Sequence, residues 1–117
     1  MDDLSITQKT MDGNIELLKV AGNLDAHTFE SFEDVLSRLI EQGRHGIIVD
    51  MSSVAYVSSA GVGVFIAAAS EAQASGGGLV LLGLSQSVRD AFEDLGLTEM
   101  LETADDLEEA LEQLKSE

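Results

Sequence analysis

The stretch from Val49 to Ala69, VDMSSVAYVSSAGVGVFIAAA, holds the residues best placed to do chemistry. An apolar strand runs into paired hydroxyls, Ser58 and Ser59, followed by a turn punctuated by Gly61 and Gly63 and then an apolar helix. Nucleophilic catalysis would need glycines two before and two after the serine, and a histidine to take its proton. Around Ser59 the later glycine is present as Gly61, but Val57 fills the earlier position. The two histidines do not complete a triad: His27 belongs to the first turn of a helix and His45 to a loop, both expected at the surface. A phosphate cradle is a weak reading of Gly61-Val62-Gly63, which lacks both the third glycine of a dinucleotide fingerprint and the lysine of a triphosphate loop. Asp25, Asp50 and the acidic pairs Asp105-Asp106 and Glu108-Glu109 are carboxylates of the kind that favour helix starts, where the helix dipole explains them better than a metal does. The sequence therefore predicts no catalytic residue, no metal and no cofactor.

The two serines remain. One of them is expected to cap the following helix by accepting a backbone N–H, worth about 1 kcal/mol. The other would then stand exposed at a helix start, where a kinase can reach its hydroxyl. A phosphate there adds about two negative charges, well placed for the dipole and the free N–H groups of the first turn. The domain would tolerate that charge. A partner docked on the turn through an apolar or acidic surface would not, so such a serine switches binding without unfolding the protein. Ala60, Gly61 and Gly63 keep the turn uncluttered, as close approach of a partner requires.

The elements that position this junction follow from periodicity and glycine punctuation, since the chain has no proline. Leu4 to Thr10 alternates weakly and predicts an edge strand; Asp12-Gly13-Asn14 turns it into a second strand over Ile15 to Ala21. Gly22-Asn23-Leu24 leads to a helix capped by Asp25, stopped by Gly43, with Phe29, Phe32, Val35, Leu36, Leu39 and Ile40 on one face. Gly46 to Met51 predicts a central strand. The alanine-rich helix after the serines, ending near Gly76-Gly77-Gly78, is apolar over most of its circumference and is expected to be largely buried. Leu79 to Leu84 predicts another interior strand, and Ser85 or Ser87 caps a helix with Val88, Ala91, Phe92 and Leu95 inward, closed by Gly96. Met100-Leu101 adds a short last strand, and Asp105 to Lys115 is an amphipathic helix with Leu107, Ala110, Leu111 and Leu114 on its stripe. The fold class is therefore α/β, a small mixed sheet of about 4–5 strands flanked by about 4 helices, because strand–helix–strand units pair in parallel and a hairpin does not.

At 117 residues, with 44% apolar residues, the chain is expected to form a single domain over positions 1–117. Its formal net charge of −16 opposes binding to nucleic acid and to anionic membrane surfaces and makes a basic protein surface a natural partner. There are no cysteines for disulfides or thiolate metal sites. Met1-Asp2-Asp3-Leu4 has no basic region before an apolar stretch, and Ala60 to Ala69 is about half the length that crosses a bilayer. A cytoplasmic protein without membrane insertion is expected.

The segments VDMSSVAYVSSAGVGVF and VAGNLDAHT, with the order of elements, resemble a STAS domain, specifically the stand-alone anti-sigma factor antagonist family, over essentially the whole chain. That family's pattern is Asp-Ser-(Ser or Thr)-Gly-x-Gly. Aligning on Gly61 and Gly63 places the phosphoacceptor at Ser59, with Ala60 at the following position and Ser58 where the family usually has aspartate; Ser58 is the second candidate. The resemblance implies partner contact through Asp25, Ser58, Ser59, Ala60, Gly61, Val62 and Gly63. It further implies partner switching. The unphosphorylated protein binds an anti-sigma factor serine kinase and so frees a sigma factor, the kinase uses its own ATP to modify Ser59 and break the complex, and a metal-dependent serine phosphatase resets it. On that reading the chain is a ligand and substrate, not an enzyme. The alternatives are a STAS-domain structural subunit of a transporter or signalling assembly, with serines that only cap, and an enzyme or nucleotide-binding protein that uses the glycines.

Overall fold

The computed structural model describes residues 4–11, 15–43, 46–96 and 101–115. The Asp12-Gly13-Asn14 turn, His45 and Met100 lie outside them. The elements run β1 (Ser5–Thr10), β2 (Ile15–Leu24), α1 (Phe29–Glu41), β3 (Gly46–Val57), α2 (Ser59–Ala74), β4 (Gly78–Leu82), α3 (Gln86–Asp94), β5 (Glu102–Ala104) and α4 (Leu107–Lys115). The strands form one sheet in the order β1-β2-β3-β4-β5. β1 and β2 pair antiparallel and the other three pairs are parallel, so the mixed sheet expected from a hairpin followed by crossovers is what forms.

Side-chain alternation along the strands divides the core between the two faces of the sheet. Leu18, Val20, Ile47, Val49, Leu79 and Leu81 pack with the inward stripes of α1, α2 and α3. Ile15, Leu17, Ile48, Val80 and Leu82 pack on the other face against the stripe of α4. Each of the three helices on the first face contributes one buried phenylalanine: Phe65 of α2 lies edge-on between Phe32 of α1 (ring centroids 5.1 Å apart) and Phe92 of α3 (6.2 Å). These contacts set how α2 sits on the sheet, and hence where its first turn lies.

Several details differ from the expectations set by local pattern: β4 stops at Leu82, short of Leu84, and the last strand lies at Glu102–Ala104, after Met100-Leu101. β2 continues to Leu24 and β3 to Val57, because their parallel pairing carries on past the apolar segments that announced them. Gly61 and Gly63 lie inside α2 and form no turn, since Ser58 alone, extended at φ −80° and ψ 171°, takes the chain from strand to helix. Asp25 does not cap α1. The helix begins at Phe29 after Thr28, and the Asp25 carboxylate instead accepts the His27 N–H (2.9 Å), while its carbonyl accepts the Thr28 and Phe29 N–H groups. Leu95 ends α3 and is 52% exposed. The alanine-rich α2 buries Val62, Val64, Phe65, Ala68, Ala69 and Ala72, but as an outer-layer helix it shows solvent a face of small residues that includes Ala60, Gly63, Ala67 and Ser70.

A buried carboxyl group also sits in β2. Glu16 is fully buried and accepts hydrogen bonds from Thr10 Oγ1 (2.6 Å) and Gln8 Nε2 (3.1 Å), both on the edge strand β1. Its cross-strand partner is Thr10. Bonds from two edge-strand donors tie β1 to the sheet, and a hydrogen bond is worth about 0.5–1.5 kcal/mol net. Because Gln8 and Thr10 can turn to water when the acceptor goes, Glu16→Ala is expected to cost about 2 kcal/mol in urea unfolding. A loss under about 0.5 kcal/mol, within the range of ordinary surface substitutions, would show that β1 is held by its backbone ladder alone.

Candidate phosphoacceptor and partner surface

The site assembles where β2 and β3 end side by side. Leu24 is in register with Val57, and the Ser58 N–H donates to the Leu24 carbonyl at 2.7 Å. That bond brings Asp25, which follows β2, next to Ser58, which follows β3. Both α1 and α2 start at this end, the carboxyl edge of parallel strands where open α/β sheets place their functional groups.

The two serines divide the roles open to them. The Ser58 hydroxyl accepts the Gly61 N–H (3.3 Å) and its carbonyl accepts the Val62 N–H (2.9 Å), so Ser58 is the N-cap and is half-buried. Ser59 is the first helical residue and is exposed, and no hydrogen bond holds its side chain among the described residues. The first turn of α2 carries no acidic residue, so an anion added on Ser59 would have that end of the dipole to itself. Of the remaining expected contact residues, Asp25 is half-buried, and Ala60 and Gly63 are exposed. Gly61 and Val62 face inward and shape the surface from beneath.

The two glycines have different physical reasons. A Cβ on Gly61 would lie 3.0 Å from the Leu24 carbonyl oxygen and 3.0 Å from Val57 Cγ1, so glycine lets α2 start hard against the strand ends. A Cβ on Gly63 would meet nothing within 4 Å. Packing does not demand glycine there, and the position offers bare backbone to anything that docks.

Asp50 and Asp106, also singled out from the sequence, have local structural partners. The Asp50 carboxylate accepts the Ser52 N–H (3.0 Å) and hydroxyl (2.6 Å), and Asp106 caps α4 by accepting the Glu109 N–H (2.9 Å). No group of three or more His, Cys, Asp or Glu among the described residues is placed to hold a metal ion, and none of the described helices is long and apolar enough to cross a membrane. His27 is exposed in the turn before α1. Tyr56, the aromatic three residues before Ser59, is 54% exposed.

The order of elements, the mixed sheet and a capped helix start at its carboxyl edge define a small α/β domain. Residues 7–110 match the STAS domain, and the chain belongs to that family. It is 30% identical to the anti-sigma-B factor antagonist of Staphylococcus epidermidis over 99 residues, which cover 85% of this chain and 91% of that protein. Its fold superposes on the anti-sigma factor antagonist SpoIIAA in its unphosphorylated form with a TM-score of 0.80 and 26% identity, over 97% of this chain and 98% of that one. The phosphorylated form of the same Bacillus protein aligns with a TM-score of 0.71 at 26% identity, over 93% and 98% of the two chains.

Proposed function

We propose that this chain is an anti-sigma factor antagonist that works by partner switching, with Ser59 as its phosphoacceptor. One observation carries the assignment of the serine: Ser58 spends its hydroxyl on the helix cap, while Ser59 stands exposed on an uncharged first turn. Unphosphorylated, the chain binds an anti-sigma factor serine kinase through the surface around Asp25, Ser58, Ser59, Ala60 and Gly63, and a sigma factor is released. The kinase transfers the γ-phosphoryl group of its own ATP to Ser59 Oγ; the hydroxyl proton leaves to a base on the kinase and ADP is the leaving group. The phosphate then lies where the partner had excluded water, and the complex separates. A metal-dependent phosphatase hydrolyses the ester and restores the binding form. The chain acts as ligand and substrate within the cytoplasm, as a single domain, and performs no catalysis itself. The existence of SpoIIAA in phosphorylated and unphosphorylated forms with this fold supports the reading.

Intact-mass and phosphopeptide analysis of the protein from its native cells tests it. One phosphate on Ser59 is expected, lost in Ser59→Ala and retained in Ser58→Ala. Removing the cap in Ser58→Ala is expected to cost about 1 kcal/mol of stability. Phosphate that disappears with Ser58 and survives without Ser59 would reverse the assignment. Its absence under every growth condition would favour a structural subunit in which the serines only cap.

A further inference from the structure

An exposed aromatic is ordinary on a protein surface when it stands alone. Tyr56 does not stand alone. Tyr56 and Leu95 are the two large hydrophobic side chains exposed among the described residues, and only Tyr56 belongs to the strand that delivers Ser58 and Ser59. Its register partner on β2 is Asn23, two residues before Asp25 as Tyr56 is two before Ser58. This register places the Tyr56 backbone one residue pair before the Leu24–Val57 pair that precedes the Asp25–Ser58 junction.

The backbone around it is irregular in a way that enlarges the exposed area. β3 gains one residue on β2 between Lys19 and Ala21 and another between Gly22 and Asn23. Such bulges re-aim side chains and recur beside functional sites. Here they leave Val54 and Val57 inward and both Ala55 and Tyr56 outward. The pairing of β4 with β3 ends at Asp50, so no strand continues alongside on that flank. Tyr56 and Ala55 are thus exposed at the end of β3, and Ala60 and Gly63 are exposed at the start of α2, which follows it.

We infer that Tyr56 is the apolar anchor of the docking surface: the kinase takes the ring into a pocket and lays its backbone over Ala60 and Gly63, which puts Ser59 at the water-excluded centre. This deepens the partner-switching reading of Ser59 and rests on it. Interface hot spots are buried aromatic anchors ringed by near-neutral contacts that exclude water, which describes this arrangement. Asp25, and Glu30 in the first turn of α1, carry negative charge at the same end of the sheet, complementary to a basic partner surface. A second copy of the chain is a poor occupant, since two molecules of net charge −16 repel.

The test is calorimetric titration of the native organism's purified, ADP-loaded anti-sigma serine kinases with wild type, Tyr56→Ala, Tyr56→Phe, Leu95→Ala and Ser59→Asp. Wild type and Leu95→Ala are expected to bind alike, Tyr56→Phe within about threefold, and Tyr56→Ala about 10–100-fold more weakly with an unchanged melting curve. Binding by Tyr56→Ala within threefold of wild type, with binding lost in Ser59→Asp, overturns the anchor and leaves the switch standing. Ser59→Asp that binds like wild type, with Tyr56→Ala impaired, overturns the switch and leaves the anchor. No binding of any kinase by wild type overturns both, and a wild-type dimer that Tyr56→Ala dissociates in sedimentation names a second copy as occupant and overturns the anchor for the kinase.

Discussion

Ser59→Asp is expected to weaken kinase binding by at least about 100-fold while the domain stays folded. The two halves of this result have separate causes. A carboxylate at the first position of α2 faces the free N–H groups and the positive end of the dipole, in a turn with no other acid, so stability is expected to hold or rise by a few tenths of a kcal/mol. On the proposed docking, with the turn covered by an apolar surface of the kinase, the same carboxylate would be desolvated. An uncompensated buried charge costs about 3–5 kcal/mol, and each 1.4 kcal/mol is tenfold in affinity. Ser59→Asn, close to aspartate in shape but uncharged, separates charge from size and is expected to lose less than about tenfold. If asparagine and aspartate impair binding equally, steric fit and not charge governs the site. If neither impairs it, the docking surface lies elsewhere.

Phe65→Ala is expected to cost the domain more stability than either Glu16→Ala or Ser58→Ala. The ring is fully buried and makes edge-to-face contacts with both Phe32 and Phe92. Truncation of a core phenylalanine costs about 3–5 kcal/mol through lost transfer energy and the cavity left behind. Each aromatic pair contributes up to about 1 kcal/mol beyond burial, which places this site toward the top of that range. Against a typical total of about 5–15 kcal/mol, a melting temperature roughly 15 °C lower follows. Phe65→Leu keeps most of the volume and is expected to cost about a third as much. The change also bears on function, because Phe65 seats α2 and so aims its first turn. A melting temperature within about 5 °C of wild type for Phe65→Ala would mean that the three helices repack around the cavity, and the aromatic row would not be what holds them.

Much of the architecture was legible from local pattern. Phe32, Leu36 and Leu39 at helical spacing announced α1, and the run Leu79 to Leu84 announced an interior strand, which forms over Gly78–Leu82; both pack as that periodicity requires. The hairpin before the strand–helix units already implied one antiparallel and several parallel pairings. Local pattern failed where a partner in space decides the outcome. Gly61 reads as turn punctuation, and only the approach of the Leu24 carbonyl shows that it is a contact glycine within a helix. Asp25 has the chemistry of an N-cap, but the bonds to His27, Thr28 and Phe29 delay α1. Glu16 falls within the apolar run Ile15 to Ala21, and only the fold shows its carboxyl group buried beside the donors of β1.

The sequence by itself determined the elements, their order and the paired serines at a strand-to-helix junction, because periodicity, capping chemistry and glycine placement are local properties of the chain. The tertiary structure decided which serine is free. That choice depends on Ser58 being drawn toward Leu24 by a backbone bond from the neighbouring strand and on its hydroxyl meeting the Gly61 N–H. It also decided that Tyr56 faces outward beside them, since exposure is set by two bulges and by where β4 stops pairing, neither of which is written in the residues around Tyr56.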